Sequence, residues 1–169
     1  MEPAVRAALV GAHHADRAEA DSGVAADGPV VVRRRVDRQP VVAALRSDGP
    51  TVLLVVEIGG EVAGGIQYNE EDDPRYRHAG IDIYLSGPFQ GQGAGAEAVA
   101  LLAGFLFRHR GHHRLTIDPA AANERAIRCY TKVGFRPVGV MRAYERGADG
   151  QFYDGLLMDM LAAELRCGL

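Results

Sequence analysis

An α/β domain with a mixed, mostly antiparallel sheet is the fold class this sequence predicts, and three stretches predict it. Val52-Leu53-Leu54-Val55-Val56, the Gly59-Gly60 turn and the return from Val62 to Tyr68 make an antiparallel hairpin. Gly80 to Leu85, a glycine-rich loop, an apolar-striped helix over Glu97 to His109 and Leu115-Thr116-Ile117-Asp118 make a central βαβ unit, whose second strand runs parallel to its first. Phe135 to Met141 and Phe152 to Met160 are two further strands joined by the turn Gly147-Ala148-Asp149-Gly150.

The other elements follow in order. Met1 to Pro29 is rich in Ala, Asp, Glu and His with weak apolar periodicity, so residues 1–29 read as an arm or peripheral helix outside a single domain over 30–169. Val30 to Val36, with arginines between the valines, is expected to be a strand, and Pro40 to Arg46 a short helix. Asn69-Glu70-Glu71-Asp72-Asp73-Pro74 is expected to be an acidic loop, which either solvates a turn or extends a negative surface toward a cation. In the βαβ helix Ala98, Val99, Leu101, Leu102, Phe105 and Leu106 share a stripe, and Gly111 stops the helix after Arg108, His109 and Arg110. Asn123 to Val133 is a second helix, closed by Gly134.

With 169 residues, 24% charged and 47% hydrophobic, the chain has the composition of one globular domain that buries a core without staples. Cys129 and Cys167 are too few for a zinc site or a disulfide framework and read as packing residues. A net charge of −3 argues against a nucleic-acid binder, which needs a basic face to release counterions, and suits a cationic partner. No apolar run approaches the ~18 residues of a membrane span, and Met1-Glu2-Pro3-Ala4 lacks the basic start of a secretion signal. A cytoplasmic protein without a membrane partner is therefore expected. His109, His112 and His113 read as helix-end surface residues with no ligand-spaced carboxylate or cysteine beside them, and no metal is expected.

Two segments carry chemistry. Gln90-Gly91-Gln92-Gly93-Ala94-Gly95 stands where a strand hands over to a helix, so backbone N–H groups converge on a place that glycines leave open. Such a nest binds anions, although a glycine turn that merely starts a helix has the same residues. The spacing fits neither the phosphate loop ending in Gly-Lys-Ser/Thr nor the dinucleotide fingerprint. Asn123, Ala126 and Tyr130 share one helix face, the seven-residue step falling about 20° short of two turns. A small residue between two polar ones leaves a slot. Asn123 taken alone also fits a helix N-cap, and Tyr130 a core tyrosine with a wet hydroxyl.

Together these segments resemble the GNAT superfamily of acyl-CoA-dependent N-acetyltransferases, whose motif Arg/Gln-x-x-Gly-x-Gly/Ala matches Gln90 to Gly95. The later helix matches as Asn123-x-x-Ala126-x-x-x-Tyr130 followed by Gly134-Phe135. The resemblance implies acetyl-CoA as cosubstrate, its pyrophosphate on the amides of Gln90, Gly91, Gln92, Gly93, Ala94 and Gly95. It places the pantetheine arm along the backbone at Tyr84 and Leu85 and beside Asn123 and Ala126, and makes the Tyr130 hydroxyl the acid for the departing thiolate. Gly80-Ile81-Asp82, Thr116-Ile117-Asp118-Pro119 and Arg125-Ala126-Ile127-Arg128-Cys129-Tyr130 look like the aminoglycoside 6'-N-acetyltransferase branch. That narrower resemblance, covering Val62 to Leu161, implies an acceptor pocket lined by Asp82 as base and Asp118 as anchor. A base is needed on chemical grounds too, because an ammonium must lose a proton before it attacks a thioester. Aspartates at strand ends also cap turns, which is the plainer use of both.

The chain departs from the family in its first third, where only about fifteen residues separate Val36 from Val52 and the helices that wall the acceptor site are cut short. It also has no tryptophan to place over a sugar. The expected function is transfer of an acetyl group to a primary amine of a small cationic acceptor by direct attack in a ternary complex. A protein or peptide N-acetyltransferase, and a non-catalytic acyl-CoA-binding module, are the alternatives. A helix from Met1 to Pro29, or a neighbouring subunit in a homodimer, would supply a missing wall.

Overall fold

The computed structural model describes residues 31–32 and 41–45 as backbone and residues 51–166 in full. The expected arm over 1–29 and Cys167 lie outside the described residues. Eight strands form one sheet in the order β1-β2-β3-β4-β5-β6-β8-β7. They are β1 (Val31–Val32), β2 (Val41–Leu45), β3 (Thr51–Ile58), β4 (Glu61–Glu71), β5 (His78–Leu85), β6 (Arg114–Ile117), β7 (Arg136–Arg146) and β8 (Phe152–Leu161). Helix α1 (Ala94–Arg108) joins β5 to β6, and α2 (Glu124–Val133) joins β6 to β7. Among the described residues only β5 and β6 are parallel, and every other pairing is antiparallel, as the hairpin and βαβ patterns require.

The short helix expected over Pro40 to Arg46 is instead strand β2, paired with β3 from Val41 opposite Glu57 to Leu45 opposite Leu53. Val41 and Val42 are β-branched and fit a pleated neighbour, so pairing with an apolar strand overrides the helix preference of Ala43, Ala44 and Leu45. The acidic stretch is also corrected. Glu70 and Glu71 belong to β4, which runs to Glu71 because Glu70 and Glu71 pair with Ala79 and His78 of β5.

Period-two alternation divides the sheet into two faces. In β5 Ala79 and Ile81 are buried, whereas Asp82 and Tyr84 are exposed. The buried face receives α1, whose Ala98, Val99, Leu102, Ala103 and Leu106 are inaccessible, and then Tyr130 and Val133 of α2, with Phe135, Met158 and Met160 completing the core. Removing each such leucine side chain from water stabilises the fold by roughly 1.5–3 kcal/mol. Gly134 ends α2 at φ +131°, and a Cβ there would stand 2.2 Å from the Glu164 carbonyl oxygen. Arg166 N–H donates to the Val133 carbonyl at 2.9 Å, so the C-terminal segment packs onto the end of α2. Among the described residues no helix is long and apolar enough to cross a membrane.

Candidate functional site

Strands β5 and β6 touch only at Ala79 opposite Leu115 and Gly80 opposite Thr116. Beyond Gly80, β5 continues to Leu85 with no paired strand on that side among the described residues, so the two parallel strands splay and leave backbone groups free for a ligand. A cavity of about 700 Å³ opens there, between the end of β5, the start of α1 and the flank of α2.

The glycine loop forms its floor. Gly91 and Gly93 have φ of +80° and +88°, in the left-handed region that side chains avoid, and a Cβ on either would meet nothing within 4 Å. Conformation, not crowding, thus calls for glycine at both, and the space above them stays open. Gly93 is the N-cap of α1 and brings no side-chain acceptor to it, so the first N–H groups of the helix face the cavity with the positive end of its dipole. The side chains of Gln90 and Gln92 are used elsewhere: the Gln90 amide donates to the Leu85 carbonyl at 2.6 Å and accepts from Arg125 at 2.5 Å, and the Gln92 amide donates to the Pro88 carbonyl at 2.8 Å. They brace the loop and leave anion contact to the backbone.

Of the sequence-predicted residues, Tyr84, Leu85, Gln90, Gly91, Gln92, Gly93, Gly95, Asn123, Ala126 and Tyr130 all line this cavity. Ala94 does not, being buried against the core. Asn123 is the N-cap of α2, its side-chain oxygen accepting from Ala126 N–H at 3.1 Å, so the capping role is real and coexists with its place in the wall. Sequence reasoning missed the cations: Arg125, Arg128 and Lys132 stand at i, i+3 and i+7 on α2 and line the same cavity. That spacing was the available signal. Cys129 is packed against the core as expected and also lines the cavity, where burial pushes its thiol up. A raised thiol is a poor nucleophile at neutral pH. Backbone donors, three cations, an apolar wall and a free strand edge together fit a long, anionic, partly apolar cofactor carrying a diphosphate.

The two aspartates meet on the opposite face. A second cavity of about 260 Å³ is lined by Asn69, Gly80, Asp82, Thr116, Asp118, Met141, Tyr144 and Leu157, among others. Asp118 lies just past β6, but Asp82 lies mid-strand in β5 and not at the strand end expected. Neither caps a turn there: Asp82 accepts from the Gln67 side-chain amide at 3.1 Å, and Asp118 accepts from the Tyr144 hydroxyl. Tyr130 lines the large cavity and not the small one, but the charges of the two aspartates reach it. Burial first, and then the charges of Cys129, Asp82 and Asp118, push its phenol up to about 12, so it holds its proton at any working pH. Its ring is pinned edge-on to Phe135 at 6.3 Å.

Two surface expectations change. His112 is buried, not exposed, and its Nε2 lies 2.6 Å from Glu70, which also pairs with Arg110 at 2.8 Å. The carboxylate absent from the local sequence arrives from β4 across the sheet end. Asp73 pairs with Arg75 at 3.0 Å, so much of the acidic stretch is neutralised locally. No group of three metal-ligating side chains occurs among the described residues.

Comparison with known proteins bears on the family and the fold. A family model described as "Acetyltransferase (GNAT) family" matches residues 24–135. A kanamycin resistance protein of Rhizobium radiobacter is 40% identical over 78 residues, 46% of this chain and 70% of that one. An aminoglycoside N(6')-acetyltransferase type 1 of Klebsiella pneumoniae is 40% identical over 75 residues, 44% of this chain and 36% of that one. Mycobacterium smegmatis RimJ, solved in complex with CoA-disulfide, superposes with a TM-score of 0.64 at 26% identity over 69% of this chain and 56% of that one. The chain therefore spans little more than a third of the Klebsiella enzyme and just over half of RimJ.

Proposed function

The chain belongs to the acetyltransferase (GNAT) family, and from that premise we propose that it transfers an acetyl group from acetyl-CoA to a primary amine of a small, cationic, aminoglycoside-like acceptor. The observation that carries the reading is Tyr130, which lines the large cavity on one side of the splayed strands and feels Asp82 and Asp118 from the small one. Acetyl-CoA held in the large cavity supplies an activated acetyl carbonyl. The amides of Gly91, Gln92, Gly93 and Gly95 and the cations Arg125, Arg128 and Lys132 hold its anionic part, the Gln90 N–H being spent on the Gly87 carbonyl, and the backbone at Tyr84 and Leu85, with Asn123 and Ala126, lines the way to the splay.

The chemistry at the junction is one proton in and one proton out. An ammonium drawn to Asp82 and Asp118 gives a proton to Asp82, whose carboxylate is oriented by Gln67. The neutral nitrogen then attacks directly, without a covalent enzyme intermediate. Tyr130 stands at about 12, above the ~8.5 of an ordinary thiol, so its hydroxyl donates a hydrogen bond to the departing sulfur. Its proton passes to the sulfur as the C–S bond breaks, and the nitrogen, made acidic by its new bond to the carbonyl carbon, gives its second proton to the phenol oxygen, so the thiol and the amide leave and Tyr130 is restored. In this reading a homodimer completes the acceptor wall that the short first third leaves thin, and a monomeric mass by light scattering would remove that part.

Release of CoA thiol from acetyl-CoA tests the reading against kanamycin, spermidine and short peptides with free N-termini. Release with the first two is expected. Release only with peptides replaces the proposal with a peptide N-acetyltransferase, and CoA binding without release from any amine leaves a non-catalytic binding module. Asp82→Asn is expected to lower kcat/KM at pH 7 on the order of 10²-fold; an undiminished value removes the base role.

A further inference from the structure

Strand β7 departs from regular pairing with β8 at two places, between Pro137 and Gly139 and, more widely, between Met141 and Glu145. Met141 pairs with Gly155 and Glu145 with Tyr153, so Arg142, Ala143 and Tyr144 oppose the single residue Asp154. Ala143 has φ +49°, the only positive φ outside glycine among the described residues. Its N–H donates to Asp154 Oδ1 at 2.8 Å. A bulge of this kind re-aims the side chain that follows. Here it lays the Tyr144 ring over Gly155, where a Cβ would stand 2.8 Å from Tyr144 Cδ1, and the hydroxyl donates to Asp118 Oδ2.

Asp154, with Leu156 two residues on in β8, also holds the segment after Asp118. Ala121 N–H donates to the Asp154 carbonyl and Leu156 N–H to the Pro119 carbonyl, each at 2.8 Å. Asp118 stands outside regular structure, beyond the last residue of β6, where a carboxylate needs a fixed partner to keep one orientation. Asp154 to Leu156 thus anchors both the aspartate and the tyrosine that reaches it.

Building on the acceptor site proposed above, we infer that Tyr144 is its positioning residue: the β7 bulge delivers the Tyr144 hydroxyl to Asp118 Oδ2, orienting the carboxylate so that Oδ1 receives the acceptor's ammonium, while the ring walls the pocket. The role acts on acceptor binding and leaves acetyl transfer and the cofactor cavity alone, because Tyr144 lines only the smaller cavity.

Steady-state kinetics of Tyr144→Phe with kanamycin and with spermidine reads this directly. The expected result is a KM for the amine raised about 10-fold, from loss of a hydrogen bond to a charged group. kcat should stay within about twofold and CoA affinity by calorimetry should be unchanged. Asp154→Ala, which frees the Ala143 N–H, is expected to raise the amine KM in the same way, and Asp154→Asn, which keeps an oxygen acceptor, to restore it. An unchanged amine KM in Tyr144→Phe overturns the inference while the function stands, and so does a change confined to kcat. A wild-type chain that releases CoA thiol with neither amine overturns the acceptor site itself, and the inference with it.

Discussion

Tyr130 shows how one side chain acquires a role from surroundings that its own helix does not supply. Spacing alone allowed a core tyrosine, and the tyrosine is indeed buried, but burial and two aspartates from neighbouring strands keep its proton in place. Tyr130→Phe is expected to lower kcat on the order of 10²-fold with CoA affinity retained, measured by steady-state turnover and calorimetry; full turnover would remove the acid role. A raised phenol also sets an alkaline limit. Below pH 10 the tyrosine is neutral in both folded and unfolded chains, and its contribution to stability is complete. As pH rises from 10 toward 12 only the unfolded chain ionises, so stability is lost across that window. Tyr144, held up to about 12 chiefly by its bond to Asp118, is expected to ionise late as well. Tyr68, raised by burial, and Tyr153, raised by its bond to Asp149, also ionise late, so ultraviolet titration of the folded protein should lose one late phenol, not all, in Tyr144→Phe.

At the scale of elements, glycine is decisive where a turn must take a conformation that other residues resist. Gly93→Ala puts a Cβ at φ +88°, a cost of roughly 1 kcal/mol that distorts the N-terminus of α1. Thermal melting should show a small loss, and calorimetry a larger one in CoA affinity, because the helix N–H groups shift. Gly134 is different, since conformation and space both forbid a side chain: a Cβ meets the Glu164 carbonyl at 2.2 Å and Met160 Sδ at 2.9 Å. Gly134→Ala is expected to destabilise by more than about 2 kcal/mol and to lower Tm by at least about 5 °C. Glycine after the second helix was legible in the sequence as a stop signal, but the backbone packed against it was not.

Across the whole molecule, contacts between distant segments tie β4 to the loop between α1 and β6. Burial alone would raise the Glu70 carboxyl, but hydrogen bonds from Arg110 and His112 outweigh it and hold it below its usual value. A depressed carboxyl contributes stability that is complete above about pH 4.5 and is lost as pH falls through its folded value. Glu70→Gln is expected to destabilise by about 2 kcal/mol at pH 7, with the penalty fading below pH 4 in denaturant melts. A constant penalty across that range would contradict the ion-pair origin.

The local pattern by itself determined the order of strands and helices after Thr51, the glycine loop at the head of α1, and the shared face of Asn123, Ala126 and Tyr130. Each of these depends on spacings of a few residues, which backbone geometry converts directly into shape. Four things were decided only by tertiary structure: strand rather than helix at Val41–Leu45, the Glu70–His112 pair, the mid-strand meeting of Asp82 with Asp118, and the arrival of Tyr144 above them. The strand partners of Val41–Leu45 lie 8 to 16 residues away, and the side-chain bonds span 15 to 42 residues, as with Gln67 to Asp82 and Glu70 to His112. Sheet register, the β5/β6 splay and a two-residue bulge bring such partners together, and none of these leaves a periodic trace in the sequence.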